Sequence, residues 1–211
     1  YYDGPLVIMV NDLSASASEI LAAALQDYGR AIIVGSKTTF GKGTVQNIFD
    51  MDKAAGSTYK DVTPLGAIKV TTEKFYRING GTTQLNGVTP DIILPNIYNN
   101  MEMGEKEEDF ALPFDEIDKA SYSVMNQNAI AYNSAKVKAE KRLSNNTHFN
   151  HVLGYAVWLE ENEDNTTSPL DYAGYSEKQK KYKAELEAFD LDNKEDQDSI
   201  VVGFLNQKQD W

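Results

Sequence analysis

Asn11-Asp-Leu-Ser-Ala-Ser-Ala-Ser-Glu19 marks the point where a predicted strand gives way to a predicted helix. An apolar run, Pro5–Val10, precedes this segment, and strong helix formers follow it in Glu19–Gln26. A second segment, Phe40-Gly-Lys-Gly-Thr-Val-Gln46, places a lysine between two glycines at the start of another predicted strand. Because only this helix and one short strand, Ala31–Val34, separate the two segments, a hydroxyl and an amine can return to the same edge of one α/β unit.

The elements around the serines have clear patterns. Pro5–Val10 is apolar throughout, which is typical of a strand covered on both faces. The helix carries an apolar stripe at helical spacing, made of Ile20, Leu21, Ala24, Leu25 and Tyr28. Gly29 fits the C-terminus of this helix. The sequence therefore predicts a strand, a short polar turn and a helix with an apolar stripe.

Three serines, Ser14, Ser16 and Ser18, lie at the mouth of this helix. Serine at a helix start usually caps the helix, which is the structural interpretation. The free N–H groups of the first turn also favour a developing negative charge. A serine there can act as a nucleophile if a base lies beside it, and the lysine of the second segment is our candidate for that base.

A lysine amine can act as a base only when it is neutral. With a pKa of about 10.4, only roughly one free lysine in 2,500 is neutral at pH 7. Burial disfavours the ammonium, and Phe40 and Val45 beside Lys42 are consistent with a buried amine. If this segment is extended, Lys42, Thr44 and Gln46 point to the same face. Gln46 could then orient the amine by a hydrogen bond that adds no charge.

Two other interpretations of Lys42 remain open. A phosphate-binding loop has four residues between its glycines and a Ser or Thr after the lysine. Here five residues separate Gly35 and Gly41, and Gly43 follows the lysine, so the hydroxyl that would hold magnesium is absent. The second alternative is a solvated surface lysine in a hairpin.

Four segments of the chain resemble one protein family. They are Ser14–Ile20, Gln26–Ala31, Phe40–Gln46 and Gly87–Ile92. These segments are similar to those of the C-terminal processing peptidases, above all the tail-specific protease branch. The match covers nearly the whole chain and is weaker after about residue 125.

The resemblance implies a role for individual residues. It makes Ser16 the nucleophile, Lys42 the base, Gln46 the support of the lysine, and the Ala17 N–H one oxyanion donor. One departure is visible, since the loop Gly35–Gly41 looks one residue longer than is usual in the family. A loop can absorb such an insertion, so we expect the site to survive it.

A third catalytic residue is not evident from the sequence. Asp27 has suitable chemistry, but on a straight helix it would lie about 16 Å from Ser16. We therefore predict a structural role for Asp27, as a partner of Arg30. Glu19 lies one turn from Ser16 and is predicted to satisfy donors at the helix N-terminus.

The composition excludes several classes of function. The net charge of −12 argues against a nucleic-acid partner and against anionic membrane surfaces. No apolar run approaches the length of a membrane span. The absence of cysteine excludes disulfides and thiol catalysis, and is compatible with an oxidising compartment. His148 and His151 could share a helix face, but no third ligand accompanies them, so no metal site is expected.

The chain is expected to have three parts. Residues 1–96 form the C-terminal part of a serine peptidase core, residues 97–125 a linker packing on that core, and residues 126–211 a helical C-terminal extension. The fold class is α/β. The resemblance implies the second half of a C-terminal processing peptidase core, with ClpP/crotonase-like β-β-α layers, followed by a mostly α-helical extension.

Further elements follow from local patterns. Strands are predicted at Thr44–Phe49, Gly66–Thr71, Lys74–Ile78 and Asp91–Leu94, with a polar loop over Asp50–Pro64 and a hairpin turn at Asn79–Gly81. Helices are predicted at Ala129–Leu143, Phe149–Glu160 and Ser176–Phe189. The charge run Gly104–Asp109 is expected to be solvated, and Phe110–Ile117 to pack back on the core. Leu191–Asp198 is polar, and Ile200–Val202 is short and apolar.

The resemblance implies a serine endopeptidase acting on proteins or peptides with exposed, apolar C-terminal tails. It implies a periplasmic or otherwise extracytoplasmic place in a bacterium, with the full-length protein associated with the inner membrane. An adaptor protein is a further implied partner, and no cofactor is expected. The rival hypothesis is a non-catalytic docking module that keeps the fold.

The chain opens without methionine on a core strand, which predicts a fragment of a longer secreted precursor. Since the family's second oxyanion donor and PDZ domain normally precede this strand, we expect the 211 residues alone to be inactive.

Overall fold

A computed structural model describes residues 2–125 and 129–189 of the chain. Its strands are β1 Val7–Val10, β2 Ile32–Gly35, β3 Thr44–Asp50, β4 Ala67–Lys74 and β5 Ile92–Ile93. Its helices are α1 Ala17–Asp27, α2 Met51–Ala55, α3 Ala129–Ser144, α4 Thr147–Asn162 and α5 Tyr172–Glu187, with short 3-10 helices at Gly56–Val62 and Glu105–Glu107. The mixed α/β class predicted from the sequence is confirmed. The chain divides into two compact units between Glu163 and Asp164.

The strand order of the main sheet places the serines and the lysine at one edge. The sheet has the order β1-β2-β5, and both pairs of strands are parallel, with Val7 opposite Ile32 and Val34 opposite Ile92. Helix α1 is the crossover between β1 and β2 that a parallel pair requires. Because parallel strands end at the same edge, the turn after β1 and the loop after β2 lie next to each other. These two segments carry the serines and Lys42.

The packed face of α1 differs from the predicted stripe. The buried core combines small helix residues with strand and loop residues, namely Val10, Ala22, Ala23, Ala31, Ile33 and Val88. Ile20 and Leu21 of the predicted stripe are 45% and 56% exposed. Because the alanine side chains are small, this side of α1 can lie close to the sheet. Glu19 is then buried, and Ile20 and Leu21 are left exposed. The apolar stripe of α1 is therefore only partly buried.

Strand β1 is covered less than its apolar sequence predicts. Val10 is buried, but Val7 is 56% and Met9 78% exposed. The described elements therefore cover only part of β1, and the prediction of a strand covered on both faces was wrong.

Strands β3 and β4 form a separate antiparallel hairpin. Its register runs from Thr44 opposite Lys74 to Asp50 opposite Ala67, with an irregularity at Val45/Gln46. Two predictions need correction. The expected strands at 66–71 and 74–78 are one strand that ends at Lys74, and the expected loop after Asp50 contains α2 and a 3-10 helix. Helix α2 forms because the Asp50 carboxylate accepts a hydrogen bond from the Lys53 N–H at 3.1 Å.

The chain then turns back on itself as the Asn79–Gly81 signal predicts. The Arg77 N–H donates to the Gly81 carbonyl at 2.8 Å, and one antiparallel bridge joins Tyr76 and Thr82. The segment from 110 to 117 docks on this turn through its backbone, since the Ile117 N–H donates to the Gly80 carbonyl at 2.9 Å. Its apolar side chains stay largely exposed, with Phe110 at 96%, Leu112 at 41% and Ile117 at 53%, so its packing on the core remains a prediction.

The three predicted helices of the second half are confirmed, with bounds set by their caps. The Asn146 side chain accepts a hydrogen bond from the Phe149 N–H at 3.0 Å at the start of α4. The Asp171 side chain accepts one from the Gly174 N–H at 2.8 Å at the start of α5. The predicted polar segment 191–198 and apolar segment 200–202 lie outside the described residues.

Candidate active site

Ser16 occupies an unusual backbone conformation between β1 and α1. Its φ is 54° and its ψ is −112°. A residue with a side chain in such a region costs of order 1–3 kcal/mol, and residues of this kind cluster at functional sites. This conformation distinguishes Ser16 from Ser14 and Ser18, which the sequence alone treats alike.

The hydroxyls of Ser14 and Ser18 are engaged in local turns. The Ser14 Oγ donates to Asn11 Oδ1 at 3.1 Å and accepts from the Asn11 N–H at 3.0 Å. The Ser18 Oγ donates to the Ala15 carbonyl at 2.8 Å. These contacts account for two of the three serines as turn residues.

A buried carboxylate joins the turn at Ser16 to the loop that carries Lys42, residues 39–43, which we call the lysine loop. Glu19 is fully buried, and its Oε2 accepts hydrogen bonds from the Ser16 N–H at 2.8 Å and the Lys42 N–H at 2.9 Å. Its Oε1 accepts from the Thr39 hydroxyl at 2.5 Å and the Gly41 N–H at 2.7 Å. The Ser16 and Lys42 backbones are thus neighbours held by one oxygen. The predicted role of Glu19 at the helix start is confirmed for Ser16, and its three other donors are new.

The lysine loop is held from its other side by Gln84. Gln84 is fully buried, and its Oε1 accepts a hydrogen bond from the Gly43 N–H at 2.9 Å. A Cβ at Gly43 would lie 2.5 Å from the backbone nitrogen of Gln84, so only glycine fits there. Gly41 has a φ of 90°, which also favours glycine. Both glycines around Lys42 are therefore required by the geometry.

The Lys42 side chain contacts a residue that the sequence placed in a solvated charge run. Its amine lies 3.5 Å from Glu105 Oε2, and the Lys42 side chain is 25% exposed. The expectation that the whole run is solvated was wrong, because Glu105 is buried. Its other oxygen accepts a hydrogen bond from Gln84 Nε2 at 3.1 Å. These two partners lie far away in the sequence, so local composition could not reveal them.

The remaining predicted site residues lie nearby without contacting the amine. Gln46 is half-buried in β3, next to the irregularity at Val45/Gln46. Within residues 2–125 and 129–189, no hydrogen bond joins the Lys42 amine to Ser16 or to Gln46. In the same part of the chain, the Ala17 N–H at the start of α1 makes no hydrogen bond, which leaves it free to bind an anion. The roles of these residues remain predictions.

Asp27 has a structural role, as its distance from Ser16 predicted, but its partner is Arg77 and not Arg30. Its carboxylate accepts two hydrogen bonds from the Arg77 guanidinium, at 2.6 and 3.0 Å. Arg30 instead donates to the carbonyls of Gly4 and Tyr2. The predicted pairing of Asp27 with Arg30 was therefore wrong, because Arg77, three residues after the end of β4, contacts the Asp27 carboxylate instead.

The histidines and the helices of the described residues show neither a metal site nor a membrane span. Among the described residues, no group of three or more His, Asp or Glu side chains could hold a metal ion. His148 packs edge-on against Phe149, at 6.0 Å between ring centroids. In the same part of the chain, none of the helices has both the length and the apolar character needed to cross a bilayer.

Two family models match the chain. Residues 1–94 match peptidase family S41, and residues 98–209 match the C-terminal domain of tail specific protease (DUF3340). Among curated relatives, the tail-specific protease of Haemophilus influenzae is 46% identical over 149 residues, covering 68% of this chain and 20% of that protein. The carboxy-terminal-processing protease of Bartonella bacilliformis is 39% identical over 109 residues, covering 49% of this chain and 22% of its own length.

A solved structure also matches part of the chain. It is a photosystem II D1 C-terminal processing protease, 37% identical, with a TM-score of 0.34, covering 43% of this chain and 20% of that chain. The chain thus spans about a fifth of the length of these relatives.

Proposed function

Because this chain belongs to the C-terminal processing peptidases of family S41, in their tail-specific protease branch, we propose that it carries the Ser–Lys dyad of a serine endopeptidase. In this proposal Ser16 is the nucleophile, Lys42 the general base, and the Ala17 N–H an oxyanion donor. Since the chain spans about a fifth of its relatives, the activity is proposed for a full-length protein that carries it.

The proposed reaction follows from these groups. The neutral Lys42 amine takes the hydroxyl proton of Ser16 as Oγ attacks the scissile carbonyl. The Ala17 N–H stabilises the oxyanion, and the ammonium then gives its proton to the leaving amine. Water hydrolyses the acyl-enzyme by the same proton route. Gln46 is proposed to orient the amine once it faces Ser16.

One observation carries the proposal. The Glu19 Oε2 accepts hydrogen bonds from the Ser16 and Lys42 N–H groups, at 2.8 and 2.9 Å. Two segments separated by a helix and a strand thereby share one buried acceptor, at the edge where a hydroxyl and an amine can meet. Ser16 also has the backbone conformation of a constrained functional residue, with a φ of 54°.

The proposed substrates are proteins or peptides with exposed, apolar C-terminal tails. The proposed place of action is the periplasm or another extracytoplasmic space of a bacterium, and an adaptor protein is a proposed partner. The similarity to bacterial tail-specific and carboxy-terminal-processing proteases supports this assignment.

A second candidate is a non-catalytic docking module that keeps the fold. It is favoured by the position of the Lys42 amine, which lies 3.5 Å from Glu105 and makes no hydrogen bond to Ser16 in the described part of the chain. An amine that contacts Glu105 and not Ser16 is not placed to take the proton of the Ser16 hydroxyl.

Casein cleavage by the full-length protein carrying this chain separates the two candidates. Ser16→Ala should abolish cleavage, whereas Ser14→Ala and Ser18→Ala, as matched controls, should keep most of it. Lys42→Arg should also fail, because a guanidinium stays protonated, while Lys42→His could retain a trace through its imidazole. Full activity of Ser16→Ala or of Lys42→Arg would overturn the assignment.

A further inference from the structure

Glu105 is a buried acid whose second oxygen is directed at the Lys42 amine. Its side chain is 9% exposed, and Oε2 lies 3.5 Å from the Lys42 amine. The other oxygen, Oε1, accepts a hydrogen bond from Gln84 Nε2 at 3.1 Å. Because Gln84 also binds the Gly43 N–H, one amide side chain sets the position of both the carboxylate and the lysine loop.

The backbone of Glu105 is docked directly on the lysine loop. The Glu105 N–H donates to the Phe40 carbonyl at 2.8 Å. Gly104 precedes it with a φ of 117°, and a Cβ there would lie 2.5 Å from the Phe40 carbonyl oxygen. The close approach therefore requires glycine before Glu105. Backbone contacts therefore set the position of Glu105, and charge repulsion within the acidic run does not.

The Glu105 carboxylate has Lys42 as its partner of opposite charge. Two acidic residues touch the loop, and Glu19 is already satisfied by N–H groups and a hydroxyl. The neighbouring Lys106 pairs instead with Glu107, at 3.6 Å on the surface. Among the described residues, Lys42 is thus the cation that compensates the buried Glu105 charge.

We propose that Glu105 is a positioning residue that holds the Lys42 amine away from its role as base until the contact breaks. The carboxylate lies in the region that matches the tail-specific C-terminal domain, and the lysine lies in the region that matches the peptidase. The C-terminal region would thereby control when the base becomes available. This inference rests on the proposed function only in taking Lys42 as the base.

The test measures how readily the Lys42 amine reacts at different pH values in the 211-residue chain. Brief acetic anhydride pulses acetylate neutral amines, and peptide mass spectrometry reads the modification at Lys42. Glu105→Gln removes the charge and keeps the shape, so the pH of half-maximal labelling should fall. Glu107→Gln is the matched control, since it removes the same charge two residues away on the surface, and it should leave the midpoint in place.

The outcomes separate this inference from the proposed function. An equal midpoint in Glu105→Gln and Glu107→Gln would overturn the role of Glu105, whatever the protease assays show, because labelling needs no proteolysis. If Glu105→Gln does not fold, Glu105→Asp makes the same test. Retracting the carboxylate by one methylene should lower the midpoint by part of the full shift, and an unchanged midpoint would overturn the proposal.

Discussion

The lysine loop and the β3–β4 hairpin that follows it are adjacent in sequence, but different kinds of contact stabilise them. In the loop from Thr39 to Gly43, the N–H groups of Gly41, Lys42 and Gly43 are satisfied by two fully buried side chains, Glu19 and Gln84. The hairpin beside it exposes large apolar side chains, with Ile48 72% and Ile68 49% exposed. Buried polar contacts therefore hold the lysine loop in place, whereas the hairpin is held by the backbone hydrogen bonds between β3 and β4.

This difference has a consequence for stability. A buried carboxylate with four donors is costly to disturb, because each donor would be left without a partner in a place that water does not reach. An exposed isoleucine in a ladder loses little when it is shortened, since water already covers it. Substitutions in the two regions should therefore differ severalfold in their effect on unfolding.

The largest effect is expected for Glu19→Gln. The substitution keeps the shape but replaces one acceptor oxygen by an NH2 group that faces other donors, and it removes the charge from four hydrogen bonds. The free energy of unfolding should fall by about 3 kcal/mol or more, measured by urea denaturation of the 211-residue chain. Glu107→Gln, on the surface, is the control and should change it by no more than about 0.5 kcal/mol. Comparable losses in both variants would show that Glu19 does not hold the loop.

A smaller effect is expected for Asp27→Ala. Its side chain is 8% exposed and pairs with Arg77, which is 18% exposed and can partly reach water. The loss should be about 2 kcal/mol, below the about 3–5 kcal/mol of a fully buried pair. Asp115→Ala is the matched control, because Asp115 pairs with Lys74 with a side chain that is 49% exposed. It should lose no more than about 1 kcal/mol, and the reverse order would contradict the structural role of Asp27.

The smallest effect is expected in the hairpin, for Ile48→Ala. Ile48 lies opposite Lys69 in the ladder and is 72% exposed, so the loss should stay within about 0.5 kcal/mol. Ile33→Ala is the same substitution at a fully buried position of β2 and should cost about 2–5 kcal/mol. Thermal unfolding of both variants makes the comparison directly, and a large loss at Ile48 would mean that the hairpin is packed rather than exposed.

The sequence predicts the parts of the fold that depend on local pattern. The alternation of strand, helix and strand around Ser16, the turn at Asn79–Gly81 and the three later helices follow from hydrophobic spacing and glycine positions. The apolar stripe did not reveal which side of α1 faces the core, since Ala22 and Ala23 are buried whereas Ile20 and Leu21 are exposed. Helical spacing identifies a stripe without saying which part of it packs.

Long-range polar contacts account for the rest of what the sequence missed. The pattern Ser16-x-x-Glu19 predicts a bond to the Ser16 N–H, but the bonds from Thr39, Gly41 and Lys42 depend on how the strands align. Glu105 lies in a run of charges that normally faces water, and its burial follows from partners far away in the sequence. No local pattern encodes the φ of 54° at Ser16 either.

The most direct measurement is covalent labelling of the full-length protein that carries this chain with a fluorophosphonate, which reacts with an activated serine hydroxyl. Mass spectrometry should find the label on Ser16, with labelling kept in Ser14→Ala and Ser18→Ala and lost in Lys42→Arg. Undiminished labelling in Lys42→Arg, or a label on another serine with Ser16 unmodified, would contradict a site in which Lys42 activates Ser16.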